Sequence, residues 1–443
     1  MRRLRITVPL TAIAVVLTAG AATPSSPARP ALVAKEPSAV LGISTRRPAG
    51  TLAWFQRLTL QPLSGRKVPL AFHTGSYAFS SDRATLAVAE CIDSGVASIR
   101  FVNARAMRVL GDLRLSNSMD CASSLTWLRP NRLLAVLTRS NSSDAEVVVV
   151  DPTKRRVLRH MSLPAAPWTT SSTGQELVLL LGSYDSFAPA RVVIVSADGN
   201  VRTAVVENVL IGTVVDESSQ DYRARTISPG FAVDPEGRRA FLVPASGPIA
   251  EIDLQTLSVS LHDLGSPSLV RRFLRWLTPS AEAKAIEGPV REARWLGDGV
   301  LAVSGFDYSI AGDGKETEHV VAKPAGVKLV DTRSWHTRML SDGSSDFAVT
   351  PGLVIAQGGA WDEGSQVTSS PGLLAFGLDG KERWGLHQGE DRRIEPDGPV
   401  GYVWVAQGSM EVVDLSSGHV LATLRRNESR NPWPWLLAAQ SSG

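Results

Sequence analysis

The sequence predicts an all-β fold, a seven-bladed β-propeller with six or eight blades as alternatives, carrying a small helical insertion. Three observations predict it. Short alternating apolar runs recur around polar turns. A second hairpin signature returns seven times. Most of the excess length falls into the connections of one face.

The chain opens with Arg2, Arg3 and Arg5 before an apolar stretch, Ile6 to Leu17, which is too short for a comfortable membrane span. Ala19-Gly20-Ala21 offers the small-residue pattern of a signal-peptidase site. An export signal is therefore expected over 1–22, cut near Ala21 or Ala22, with an uncleaved anchor as the alternative. No Cys directly follows the apolar stretch, so no lipid anchor is indicated. Residues 23–50 are rich in Pro, Ala and Ser and read as a disordered linker.

The inner hairpins come next. YAFSSDRATLAVAE at 77–90 is echoed by FAVDPEGRRAFLVPA at 231–245 and more weakly by TTSSTGQELVLLLGS at 169–183. Period-two alternation broken by a short polar turn is a hairpin signal. Outer hairpins follow at 98–115, 147–163, 192–206, 250–264, 327–340, 373–386 and 410–424. Each has a β-branched or apolar strand, a turn and a strand leading out. Asp151, Asp253, Asp331 and Asp414 open four of these turns, and Asn103 opens another. Such side chains bond the backbone two residues on and fix the turn. Units of four strands cannot bury both faces alone, so they stack around an axis over about 51–425.

These stretches resemble bacterial propellers of the YVTN and WD-repeat-like type. The likeness rests on FSSDRATLAVA, VDPEGRRAFLV and VVDLSSGHVLATL, and it is a likeness of fold. The chain does not repeat the Trp-Asp dipeptide and Gly-His pair of WD repeats. The resemblance implies a closed ring with ligand sites on one face. Propellers of similar kind include lactonases, lyases and quinone-dependent dehydrogenases.

TLAWFQRLTLQPLSGRKVPLA at 51–71 looks like one more outer hairpin without an inner one before it. It is expected to close the ring beside 400–424, since closure removes two open sheet edges. PWPWLL at 432–437, within a C-terminal tail over 426–443, reads as apolar chain docked on the last blade.

With strands a to d counted outward from the axis, b–c and d–a connections share one face. The long ones are 139–145, 183–190, 305–323 and 358–371 (b–c), and 206–229 and 264–290 (d–a). Long loops on one face of a compact fold point to function. Cys91 and Cys121, the two cysteines of the chain, fall at adjacent strand ends on that face and are expected to form a disulfide. The helical insertion is expected at 266–288. Ser266-Pro267 supplies N-cap and N1, and Leu269, Val270, Phe273, Leu274 and Leu277 supply an apolar face. Thr278-Pro279 restarts a short helix that Gly288 ends. Membrane contact is expected only through the signal segment or these helices.

Phosphate-loop, HExxH, CxxC and GxSxG patterns are missing from the sequence, so no catalytic residue, metal or cofactor is indicated. Asp307, Gly312 and Glu318 match positions 1, 6 and 12 of a calcium loop. Ser309 and Ala311 miss positions 3 and 5, so a solvated acidic loop is the reading there. Net charge is +3 with dispersed basic residues, which excludes the clustered footprint nucleic acid needs. The ligand-binding candidates are the aromatic and titratable residues of the long loops: Tyr184, Asp185, Asp216, Glu217, Asp307, Tyr308, His319, Trp361 and Asp362. Aromatics give stacking area and carboxylates give orientation. The function expected is that of an exported, non-enzymatic propeller binding a protein, glycan or small ligand through its long-loop face. A propeller enzyme of lactonase, lyase or quinoprotein-like type is the alternative.

Overall fold

The computed structural model describes residues 39–44, 50–70, 73–92, 96–116, 119–139, 144–216, 223–263, 285–312, 319–363, 367–406, 408–426 and 433–437. Antiparallel four-stranded sheets follow one another along the chain. Blade 2 runs His73–Phe79, Thr85–Ile92, Val96–Asn103 and Arg108–Ser116. Blade 3 runs Cys121–Arg129, Arg132–Thr138, Ala145–Asp151 and Arg156–Ser162. Blade 4 runs Ala166–Ser172, Glu176–Gly182, Phe187–Ser196 and Val201–Asp216. Blade 5 runs Gly230–Val233, Arg239–Val243, Ile249–Asp253 and Val259–His262. Blade 6 is Ala285–Gly297, Val300–Ala311, Val327–Asp331 and Thr337–Ser341. Blade 7 is Asp346–Thr350, Leu353–Gln357, Leu373–Gly377 and Glu382–Leu386. Blade 8 is Ile394–Asp397, Val400–Ala406, Ser409–Asp414 and Val420–Arg425.

Blade 1 corrects three expectations together. Its outer strands are Gly50–Gln56 and Val68–Leu70, the orphan outer hairpin of the sequence. Its inner pair is split between the chain's two ends. Ala39–Ser44, inside the stretch read as linker, is strand b, and Trp435–Leu436, inside the tail, is strand a. The ring therefore has eight blades, not seven. Closure runs through Gly42 opposite Leu436 and Ile43 opposite Trp435, not through pairing with 400–424. Six- and two-residue strands lying more than 390 positions apart in sequence give no local hairpin signal, so the eighth unit looked incomplete.

Among the described residues there is no helix. The expected insertion lies for the most part outside them, over 264–284. Its last four residues, 285–288, begin a β-strand instead. The export signal over 1–22 also lies outside the described residues.

One apolar cluster fills each seam between neighbouring blades, so the core is a ring. Val40, Phe55 and Leu60 of blade 1 meet Tyr402, Met410 and Val412 of blade 8, and Trp433 joins them. Leu41, Ile43 and Leu52 pack on Leu86 and Val88 of blade 2. Ala302 and Leu329 of blade 6 pack on Phe347 and Val354 of blade 7. The outer turns repeat one geometry. Asp253 Oδ1 accepts from the Gln255 and Thr256 amides, at 2.9 and 2.8 Å. Asp331 and Asp414 do the same with the amides that follow them, and Asn103 Oδ1 takes the Ala106 amide at 2.7 Å. Four residues past each opening residue the backbone turns left-handed, at Met107, Arg155, Leu257, Trp335 and Gly418. Only the last is glycine. The capping Asp or Asn side chain and the ladder on either side hold four side-chain-bearing residues where they rarely sit.

Cys91 and Cys121 form the expected disulfide, with Cα atoms 4.8 Å apart. It joins strand b of blade 2 to strand a of blade 3 on the long-loop face. A closed loop with a sequence separation of 30 contributes about 3–4 kcal/mol in the chain-entropy model. Cys91→Ala with Cys121→Ala is expected to lower unfolding free energy by about that amount in denaturant titration.

The closing seam also carries a buried acid. Asp397 is paired with Arg57 at 3.0 Å, and the Tyr402 hydroxyl donates to the Arg57 carbonyl at 3.1 Å. Burial, with the nearby Asp397 charge adding to it, pushes the Glu395 carboxyl up to about 7. The folded chain thus keeps a proton that the unfolded chain releases near the ordinary glutamate value of 4.5. Stability is expected to fall as pH rises between those values, by on the order of 3 kcal/mol. Glu395→Gln should flatten that slope in thermal melts between pH 5 and pH 8.

Candidate functional site

The long loops do not stay loops. Five segments on one face merge into a single accessory sheet. Residues 187–189 pair with 210–212, and 212–216 with 223–227. Residues 223–225 then pair in parallel with 285–287. Residues 288–290 pair with 306–308, and 306–311 with 319–324. Val321 and Ala322 pair with Asp362 and Trp361, and 360–362 with 367–369. The sheet joins extensions of blades 4, 6 and 7 to the connections between blades 4, 5 and 6. Two glycines permit its close crossings. A Cβ on Gly288 would stand 2.0 Å from the Thr226 carbonyl oxygen, and one on Gly305 would stand 2.0 Å from that of Val290.

Register sorts the blade 6 hairpin into two faces. Phe306, Tyr308, Ile310, Val320 and Ala322 share one face with Trp361, and Val320 and Ala322 are buried. Asp307, Ser309, His319, Val321, Lys323 and Asp362 share the other. The acidic loop expected at 305–323 is thus mostly ladder. A calcium loop beginning at Asp307 is excluded, because 307–311 run extended and paired with 319–323. Among the described residues no group of three or more His, Cys, Asp or Glu is placed to hold a metal ion.

The sequence-derived candidates fall in three places. Tyr184 and Asp185 sit in the b–c turn of blade 4. The Tyr184 ring stacks on Trp168, with centroids 5.1 Å apart. Hydrogen bonds from Ser183 and Ser186 hold the Asp185 carboxyl below its ordinary range. Asp216 ends its strand opposite Arg223, and Glu217 lies outside the described residues. The other five meet on the blade 6 and 7 part of the sheet. His319 Nε2 is 3.1 Å from Asp362 Oδ1. Asp307 is paired with Arg291 at 2.6 Å. Tyr308, Ala322 and Trp361 stand in one cross-strand row, which places the two aromatics about 10 Å apart at two strand spacings. Burial raises the Tyr308 hydroxyl above its usual range, opposed by the nearby Arg393 charge. Trp361 is 40% exposed.

Sequence reasoning missed the polar residues at the channel mouth beneath this sheet. Glu292 and Arg294 lie on the inner strand of blade 6, 2.8 Å apart, and Arg294 stands over the Phe347 ring at 5.7 Å. Burial pushes the Glu292 carboxyl up, and the Arg294 charge pulls it back. Asp346 of blade 7 accepts from Gln357 Nε2 at 3.1 Å and faces Arg393 at 3.8 Å. Gln357 Oε1 in turn accepts the Ile394 amide of blade 8 at 2.8 Å. These acids sit in inner strands rather than in long loops, so loop length gave no sign of them. The polar REAR at 291–294, entering an inner strand that should be apolar, was the available signal.

No family model matches the chain, and no curated protein matches it in sequence. Solved structures match it in fold. Dihydro-heme d1 dehydrogenase NirN in complex with DHE is similar with a TM-score of 0.53 and 12% identity, over 92% of this chain and 76% of that one. The chain is a β-propeller. BamB from Moraxella catarrhalis matches at a TM-score of 0.44 and 13% identity, over 79% of this chain and 87% of that one. The β-propeller domain of the Trilobed protease from Pyrococcus furiosus matches at 0.38 and 12%, over 80% and 95%. At such identities the likeness is one of fold.

Proposed function

We propose that this protein is an exported, non-enzymatic propeller that binds its ligand on the long-loop face, with the accessory sheet as the platform. The observation that carries this reading is the merging of excursions from several blades into one sheet with an aromatic face. Ordering long excursions costs backbone entropy, and here that cost supports one surface rather than several separate turns. Export is supported by the Cys91–Cys121 disulfide, which persists in oxidising compartments, and by the basic and apolar N-terminus.

The side-chain pairing on this face is consistent with a binding surface. Asp307 is held by Arg291, Glu292 by Arg294, Asp346 by Gln357 and Arg393, and Asp362 by His319. Carboxylates engaged by neighbouring side chains in this way are held in fixed orientations, as a binding surface needs. A protein, a glycan or a small molecule remains within this reading. The dispersed charge argues against nucleic acid, and no cofactor is part of the proposal.

The test is a thermal-shift screen of sugars, peptides and small organic acids against the full chain and a Tyr308→Ala, Trp361→Ala variant. A ligand at a hundred times its Kd should stabilise the parent by about 2.7 kcal/mol, and the variant should bind at least tenfold more weakly. A ligand that the protein turns over would contradict the non-enzymatic reading. A ligand that protects the opposite-face turns at Asp82 and Asp234 in hydrogen exchange, and not the accessory sheet, would contradict the site.

A further inference from the structure

The face opposite the long loops is built from the a–b and c–d turns, and its charge is unevenly divided. In blades 1 to 3 these turns are residues 57–67, 80–84, 104–107, 130–131 and 152–155. They hold seven Lys or Arg and one acid, Asp82. The corresponding turns of blades 4 to 8 hold three Lys or Arg and five acids. The basic residues are dispersed along the sequence, and the ring gathers them on one half of one face.

These cations are presented to solvent rather than spent on internal pairs. Arg66, Lys67, Arg83, Arg105, Lys154 and Arg155 are all exposed. None of them forms an ion pair within 4.0 Å among the described residues. The one acid is held by its own turn, where Asp82 Oδ1 accepts from the Ser80 hydroxyl at 2.6 Å and the Ala84 amide at 3.0 Å. Arg83 stands two residues before strand b with φ 54°. Blades 4 and 5 give the matching left-handed position to Gly174 and Gly237. A side chain is disfavoured there where glycine is not, so blade 2 carries its arginine against backbone preference. The guanidinium lies over the Phe79 ring at 4.8 Å.

Ion pairs mark both edges of the basic half. On the blade 8 side, Asp397 is taken by Arg57 at 3.0 Å. On the blade 4 side, Asp198 stands 4.0 Å from Arg129 and 3.8 Å from Arg132. The half is continuous across the seam between blades 2 and 3, where Arg155 Nη1 donates to the Leu110 carbonyl at 2.8 Å. Leu58, in the blade 1 turn that also carries Arg66 and Lys67, is 43% exposed. Strand b of blade 1 starts on this face at Ala39. The chain bearing the apolar stretch Ile6 to Leu17 therefore joins the ring here.

We propose that the short-turn face of blades 1 to 3 docks on a membrane surface rich in anionic lipid headgroups, with the accessory sheet turned away from the bilayer. Unpaired cations near such a surface are drawn to the headgroups. An exposed leucine among them can enter the headgroup and acyl boundary. Single-stranded nucleic acid would call for aromatic stacking beside the cations, and the exposed aromatics Tyr184, Trp361 and Trp404 all lie outside these turns. This surface is separate from the binding platform and does not rest on it.

Co-sedimentation tests it, with the full chain and vesicles of phosphatidylcholine alone or mixed in equal parts with phosphatidylglycerol. The protein should bind the mixed vesicles at least tenfold more tightly. That preference should vanish at about 1 M salt, where the Debye length is about 3 Å. Arg66→Gln with Lys67→Gln, and Arg83→Gln with Arg105→Gln, should each weaken binding to mixed vesicles about tenfold or more, with the parent's Tm. Arg333→Gln with Lys381→Gln removes equal charge from the other half of the face and should leave binding unchanged. Leu58→Ser should weaken binding and keep the salt dependence. The N-terminal segment is common to every variant, so differences between variants report the face. Equal binding to both vesicle types overturns the proposal. So does an equal loss in the Arg333, Lys381 variant, which would reduce the effect to net charge. Tighter binding to duplex DNA than to mixed vesicles at the same salt would also overturn it.

Discussion

The pairing of Gly42 and Ile43 with Leu436 and Trp435 is the contact that makes the rest of the molecule possible. Eight radial sheets each bury their faces only against neighbours, so an open array would expose two apolar faces at its ends. Two backbone strands drawn from opposite ends of the chain remove both. The side chains around them complete the closure. Trp435 packs edge-on against Tyr77 of blade 2 at 5.7 Å, and Trp433 joins the cluster shared with blade 8. Arg57–Asp397 ties the opposite end of that seam. Every apolar cluster of the ring then has a blade on both sides.

Closure also fixes where elaboration can go. Four antiparallel strands per blade put the b–c and d–a connections at one end, whatever their sequence. Extensions of blades 4, 6 and 7 therefore rise side by side, close enough to pair. Free backbone groups in neighbouring long connections satisfy one another, and a sheet forms where separate loops would otherwise need ordering one by one. Its aromatic side and the charged mouth of blades 6 to 8 lie on the same end of the ring, joined through the continuous strand Val300–Ala311.

Much of this was legible in the sequence because it is local. The Asp and Asn residues that open five of the seven outer turns announce those hairpins, and the structure shows their side chains bonded to the backbone as that pattern requires. The parity of strands placed the long loops and the two cysteines on one face. What could not be read was non-local. Ala39–Ser44 and Trp435–Leu436 carry no turn between them, so the first was absorbed into a Pro- and Ser-rich linker and the second into a tail. The pairing of 223–225 with 285–287 is parallel and bridges two different connections, which alternation along one stretch cannot reveal.

Amide hydrogen exchange over 39–56, in the full chain and in one ending at residue 432, measures the closing contact directly. The account predicts strong protection of Leu41 to Ile43 and of the partnered strand Gly50–Gln56 in the full chain. It predicts loss of that protection in the shortened chain. Rapid exchange at Leu41 to Ile43 in the full chain, or equal protection in both, would contradict a ring held shut by its two ends.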